Sequence, residues 1–477
     1  MARHIRYLRR EGVTRDGDAA EMFGKAGPAD HEAFAARCEP DRHHFRFIVS
    51  PEDAERLQDL RAVTRDLMAQ AARDLGTRLD WVAVDHWNTD NPHVHVLIRG
   101  VADDGKDLII DREYITQGLR KVAERLVELE LGLRTQKEIE TGLDREVTSD
   151  RWTSLDRQLR NLRGPDGRVN LRPGDADVPA RLIGRANHLQ RLGLAEPRAG
   201  VWTLADDLEQ RLRALAVRCD IIKTMHAAMR GEARDPAQFV LHPTAPDPPV
   251  VGRLVERGLH DELNGQAYVV VDGLDGRLHH VRFSDLDRTG DTRLNGIVEV
   301  RAWTREGQSS RADLVHRSDL SIERQITARG ATWLDRRLVS DEPSPGAGAF
   351  AREVRDALTA RRMELTRRGL ADDQGRPVGG LLEKLRSDEL RRVRHVLAAE
   401  TGLEPRSSVP GESVAGVYRR RVDLASGRFA MIDDGLGFQL VPWSRTLEPR
   451  RDEQVRGVIS KGGGIDWVFD RKRGISL

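Results

Sequence analysis

The chain has 477 residues, enough for two to four domains of ordinary size, and 39% of them are hydrophobic, so genuine cores are expected. Its 78 basic and 77 acidic residues leave a formal charge of +1, which excludes a uniformly basic nucleic-acid coat; any DNA-binding face must be built locally. Two cysteines, Cys38 and Cys219, exclude a disulfide framework or a cysteine-rich zinc module. No apolar run nears the roughly 20 residues of a membrane span, so a soluble, cytoplasmic protein is expected.

The first 145 or so residues alternate strand-like and helix-like segments. A short basic piece (4–10) leads into a polar, Gly-containing stretch. Residues 43–50 then place Phe45, Phe47 and Val49 in strand alternation. Ser50-Pro51 reads as the start of a helix running to about Leu75, with Ser as N-cap and Pro at the first helical position. Residues 79–86 form a second strand, 88–92 a polar turn and 93–101 a third strand, close enough for an antiparallel hairpin. A further amphipathic helix covers about 112–131. The expected class is α+β, an antiparallel sheet with flanking helices.

Beyond it, composition predicts a loose, Gly/Pro-rich connection and then a winged-helix-like pattern (together 146–230). A small β-barrel-like piece (240–310), a charged helical region (318–405) and a C-terminal β-rich piece (410–477) follow. The two β pieces show no visible repeat. Basic clusters in these parts read first as solvated faces, with binding to DNA or a coupling protein as the other reading.

Chemistry concentrates in residues 85–99. Strand alternation puts His93 and His95 on one face and Val94, Val96 and Ile98 on the other. An HxH pair alone is a common accident. A hairpin, however, returns His86 beside the pair, and three imidazoles converging on one point suit a divalent ion with open positions. Such a site leaves room for phosphate oxygens. No HExxH motif supplies the base that a zinc-hydroxide mechanism needs, so Asp85 and Asp90 are expected to orient the imidazoles instead.

The run His86-Trp-Asn-Thr-Asp-Asn-Pro-His93-Val-His95 resembles the third motif of conjugative relaxases of the P mobilisation class. These are HUH (histidine–hydrophobic–histidine) endonucleases that nick one strand at an origin of transfer. The segment Ile5-Arg6-Tyr7-Leu8-Arg9-Arg10-Glu11-Gly12 is similar to their tyrosine motif. The residues 46–54 and the long C-terminal part resemble large relaxases, the mobilisation nucleases of proteobacterial integrative elements.

The resemblance implies that Tyr7 attacks the scissile phosphate and keeps the 5′ end as a phosphotyrosine. Arg6, Arg9 and Arg10 would supply a basic neighbourhood, and Mg²⁺ or Mn²⁺ is the implied metal. His44 and Arg46, on the segment like the second motif, would lie near DNA, although whether His43 or His44 points inward is a matter of parity that the sequence leaves open. Tyr114 is the other tyrosine of this region and reads more simply as a packing residue. Implied partners are single-stranded and hairpin DNA at an origin of transfer, a type IV coupling protein and accessory mobilisation proteins, with export alongside DNA. The family has a strand ahead of its tyrosine, yet six residues precede Tyr7 here; that strand is expected to be lost or encoded upstream. Two other readings stand beside this one: a non-catalytic DNA-binding protein that keeps the fold, and a rolling-circle replication initiator, which the absence of a P-loop disfavours.

Overall fold

The computed structural model describes the chain except residues 1–4, 6–7, 10–13, 15–19, 88–91, 172–178, 199, 230–233, 262–264, 305–309, 341, 408–410, 461–463 and 470–477. Contacts divide it into two units, residues 1–223 and 224–477.

The first unit is built on an antiparallel sheet of strands β1 (Phe23–Gly24), β2 (Gly27–Pro28), β3 (His44–Val49), β4 (Trp81–His86) and β5 (His93–Arg99), in the order β2-β1-β4-β5-β3. Register decides what each face carries. His86 pairs with His93, Val84 with His95, and Ile48 with His95 from the other side. One face therefore holds Val82, Val84, His86, His93, His95, Leu97, Ile48, Arg46 and His44. The opposite face holds Ala83, Val94, Val96 and Ile98, each at most 1% exposed.

That second face packs on helices α2 (Leu60–Asp74) and α3 (Leu119–Leu131) through Val63, Leu67, Met68, Ala71 and Leu119. Burying each large aliphatic there stabilises the sheet by about 1.5–3 kcal/mol. The histidine-bearing face is covered by helix α1 (His31–Cys38), with Phe34 and Cys38 inward, and by Ile5, Leu8 and Met22. The hairpin β1-β2 and α1 fill the stretch that the sequence presented as polar and Gly-containing; α1 starts because Asp30 accepts from the amides of Glu32 and Ala33.

The second helix also differs from expectation. It begins at Leu60, capped by Asp59, whose carboxylate accepts from Arg61 and Ala62 amides. Ser50-Pro51 instead leads into a short 3₁₀ turn, Ala54–Arg56, whose Ala54 and Leu57 are drawn into the core. Two cap signals compete nine residues apart, and burial of Leu57 selects the later one.

The rest of the first unit comprises helices α4 (Gln136–Val147) and α5 (Ser154–Asn161), strand β6 (Arg168–Asn170), helix α6 (Ala180–Arg191) and the hairpin β7 (Ala195–Arg198)–β8 (Val201–Leu204). The three strands pair in the order β6-β8-β7 around a core of Leu155, Leu159, Val169, Leu182, Leu189 and Trp202. Part of the stretch expected to be a loose connection is thus ordered, in α5 and β6. Helix α7 (Leu208–Ala228) follows.

In the second unit, strands β9 (Phe239–His242), β10 (Val250–Asp261), β11 (Gln266–Gly273), β12 (Leu278–Phe283), β13 (Ile297–Trp303) and β14 (Arg311–Ser318) form one six-stranded sheet. Helices α8 (Ile322–Thr327), α9 (Trp333–Val339), α10 (Ala349–Arg367) and α11 (Leu381–Thr401) come next. A second six-stranded sheet closes the unit: β15 (Glu404–Pro405), β16 (Ser413–Leu424), β17 (Gly427–Asp433), β18 (Gly437–Pro442), β19 (Gln454–Ile459) and β20 (Ile465–Val468). Among the described residues, no helix is long and apolar enough to cross a membrane.

Candidate metal centre

His86, His93 and His95 meet at one end of their sheet face and are 1%, 8% and 4% exposed. His95 Nε2 lies 3.1 Å from both His93 Nε2 and His86 Nδ1. The ligand nitrogens of all three fall within 4.8 Å of one another. On the other side of the His86 ring, Nε2 donates to the Leu8 carbonyl at 2.7 Å. In a neutral ring this fixes the proton on Nε2 and leaves Nδ1 bare, aimed at His95.

Lone pairs gathered this closely repel unless a proton or a cation sits among them. Nitrogens sharing one ion at roughly 2.0–2.1 Å stand roughly 3.0–3.4 Å apart, and two of the three spacings meet that figure. The residues fit a divalent metal. Among the described residues this is the one His/Cys/Asp/Glu group with such spacing.

Asp85 is not brought to the imidazoles. Strand alternation turns it to the opposite face, where Oδ1 accepts from Arg61 Nε at 2.8 Å and Oδ2 from Trp87 Nε1 at 2.7 Å. Its role is to tie β4 to α2. Asp90, Tyr7, Arg6 and Arg10 lie outside the described residues. Arg9 is described, and its guanidinium is committed within the fold, to the Ala20 carbonyl at 3.3 Å and His31 Nε2 at 2.6 Å.

The parity left open by the sequence resolves in favour of His44. His43 turns away and bonds the Leu108 carbonyl at 2.9 Å, whereas His44 and Arg46 share the face of the metal cluster. Arg46 Nε donates to His44 Nε2 at 2.9 Å, so this ring nitrogen accepts and carries no proton. Burial first, then the Arg46 charge, brings the His44 pKa down from 6.5 to about 4.

The folded state therefore refuses a proton that the unfolded chain takes up. The stability this contributes is complete above pH 6.5 and is lost as pH falls toward about 4. His44→Gln is expected to flatten the fall of the urea midpoint across that window; an unchanged slope would assign it to other groups.

Tyr114 packs against the helix-covered core, on the face opposite the histidines. Its hydroxyl donates to Asp74 Oδ2 at 2.7 Å, and burial together with that carboxylate pushes its pKa up. Such a phenol is a poor nucleophile.

Residues 28–133 match the relaxase family model, described as MobA/VirD2-like, nuclease domain. This stretch contains strands β3, β4 and β5 and all three histidines, and the match implies DNA nicking in mobilisation. Tyr7 precedes it. Residues 182–315 and 302–476 match a second model, described as a protein of unknown function (DUF3363), and together these cover more than half of the chain. The chain belongs to this DUF3363 family. No curated protein and no solved structure matches it. In this DUF3363 member, then, a relaxase-type nuclease domain stands ahead of the segments that define the family.

Proposed function

We propose that this protein is a conjugative DNA relaxase of the P mobilisation class, nicking one strand at an origin of transfer through a covalent 5′-phosphotyrosine. The observation that carries the reading is the buried convergence of His86, His93 and His95 within a stretch matching the relaxase nuclease domain. Mg²⁺ or Mn²⁺ held by His86 Nδ1, His93 Nε2 and His95 Nε2 would polarise the scissile phosphate and offset charge in its transition state.

The chain's own groups do the rest. The Tyr7 oxygen forms the new P–O bond; the 3′ oxygen leaves and takes up the proton that the phenol gives up. His44 and Arg46, on the same face as the cluster, line the approach of the strand. Single-stranded and hairpin DNA are the substrates, in the cytoplasm, before a type IV coupling protein and accessory proteins take over the complex. With aromatic residues at 5%, base stacking contributes little and phosphate contacts dominate.

The test is an SDS-resistant adduct between the full chain and a labelled single strand from its own element's transfer origin. Adduct is expected with Mn²⁺ or Mg²⁺, none with EDTA, and recovery on adding metal back. Strand affinity should fall with salt at a log–log slope of roughly 0.7 per phosphate neutralised. Strand binding without adduct at any metal concentration would favour a DNA-binding protein that keeps the fold without the chemistry.

A further inference from the structure

Two arginines on different helices are wholly buried, and five partners of each correspond. Arg185 on α6 gives Nε to Asp156 Oδ1 at 2.7 Å and a terminal nitrogen to Oδ2 at 2.8 Å. Arg361 on α10 gives the same atoms to Asp335 Oδ1 and Oδ2, both at 2.8 Å. Their other N–H groups go to backbone carbonyls: Val147, Ser149 and Arg151 for Arg185, which also reaches Glu146, and Ile326, Ala328 and Gly330 for Arg361. In both cases three of these carbonyls precede the aspartate by nine, seven and five residues.

The aspartates themselves close capping boxes with Thr153 and Thr332. The capped segments read Thr-Ser-Leu-Asp-Arg-Gln-Leu (153–159) and Thr-Trp-Leu-Asp-Arg-Arg-Leu (332–338), identical at five of seven positions. Each buried arginine opens the pattern Arg-x3-Leu-x3-Gly-Leu-Ala, at 185–195 and at 361–371. Gly193 and Gly369 end their helices at φ 69° and 70°, and the next amide returns to the Leu189 or Leu365 carbonyl at 2.8 Å.

The likeness continues along the chain. Helices α7 and α11 follow, then a short strand, β9 or β15, that runs parallel to the third strand of its sheet's meander. The two sheets have one order, β14-β13-β10-β11-β12-β9 and β20-β19-β16-β17-β18-β15. The first long strand of each bulges two to four residues past a glycine, between Leu254 and Glu256 after Gly252 and between Tyr418 and Arg420 after Gly416. A Cβ on Gly252 would strike the Asp272 carbonyl, and one on Gly416 the Asp433 carbonyl. Each third strand leads into a 3₁₀ turn, Leu286–Thr289 or Arg445–Arg450. A fold type dictates neither the position of a bulge nor the five partners of a buried guanidinium.

We infer that residues 136–318 and 322–468 are two copies of one succession of elements, helices and then a six-stranded sheet, each with its own arginine lock among its helices. The two stretches matched by the family change over at residues 302–315, near the end of the first copy. Arg185 and Arg361 are accordingly positioning residues, spent on internal carbonyls and carboxylates, and do not belong to any DNA-contacting set. The copies share their buried frame and differ on the exposed helix face, where Asn187 and Gln190 in the first stand opposite Met363 and Thr366 in the second.

The test is hydrogen exchange by mass spectrometry on the full chain. Arg185→Met is expected to speed exchange by a factor on the order of 10²–10³ across 147–171 and 182–195, leaving 326–371 as in the unaltered protein. Arg361→Met is expected to do the reverse. The milder Asp156→Asn and Asp335→Asn should give the same two patterns at smaller amplitude. The proposal is overturned if either lock can be broken without deprotecting its own copy, or if the Asn variants deprotect both copies together.

Discussion

Tyr7→Phe is expected to reduce the covalent protein–DNA adduct by a factor on the order of 10³ or more, while metal and strand binding stay within about threefold of the unaltered protein. In the proposed reaction the phenol oxygen forms the bond that conserves the phosphodiester's energy, and Phe removes that atom alone. Support comes from the neighbouring residue. Leu8 is wholly buried, and its carbonyl receives the His86 Nε2 proton at 2.7 Å. The backbone beside Tyr7 is thereby tied to a ring of the candidate metal centre. A phenol with a pKa of about 10 needs such a neighbourhood to react near pH 7.

Tyr114→Phe makes the contrast, because its hydroxyl serves Asp74 on the other side of the sheet. That variant should keep the adduct and lose some stability. An adduct that survives Tyr7→Phe and disappears with Tyr114→Phe would reverse the assignment and require the sheet to be rebuilt around a different nucleophile.

The histidine cluster was legible because strand alternation is strict: His93 and His95 must share a face, and a short turn leaves His86 little choice but to join them. The class of the domain followed from the same period-two pattern. Asp85 shows where this reasoning stopped. Proximity in sequence suggested a partner for the imidazoles, yet the alternation that gathers the histidines turns Asp85 away, toward Arg61. Adjacent residues on a strand are the ones least able to cooperate.

Helix α1 was missed for another reason. Its inward residues are few, Phe34 and Cys38 among alanines and charges, so no apolar stripe announces it. The duplicated module escaped notice because its identities are mostly buried polar groups: a capping threonine, an aspartate and an arginine. The stretch from aspartate to arginine differs in length between the copies, and hydrophobic periodicity is blind to polar locks.

The arrangement of the three rings makes His95 the decisive ligand of the proposed metal site, since its Nε2 is the atom in contact with both others. His95→Ala is expected to lower Mn²⁺ affinity by more than the 10–100-fold that loss of an outer-sphere partner costs, and to lower metal-dependent nicking with it. Thermal unfolding gives a readout independent of nicking. An ion that binds only the native state stabilises by about 2.7 kcal/mol at one hundred times its Kd, so Mn²⁺ should raise the midpoint of the unaltered protein and leave His95→Ala nearly unmoved.

Asp85→Asn separates ligation from support. It weakens the tie between β4 and α2 through Arg61 but leaves the imidazole nitrogens in place, so its midpoint should start lower and still rise with Mn²⁺. If Mn²⁺ stabilised His95→Ala as strongly as the unaltered chain, the ion would be held elsewhere. The close nitrogens would then be a buried hydrogen-bonded cluster, with one proton between His95 and a neighbour doing what the metal is proposed to do.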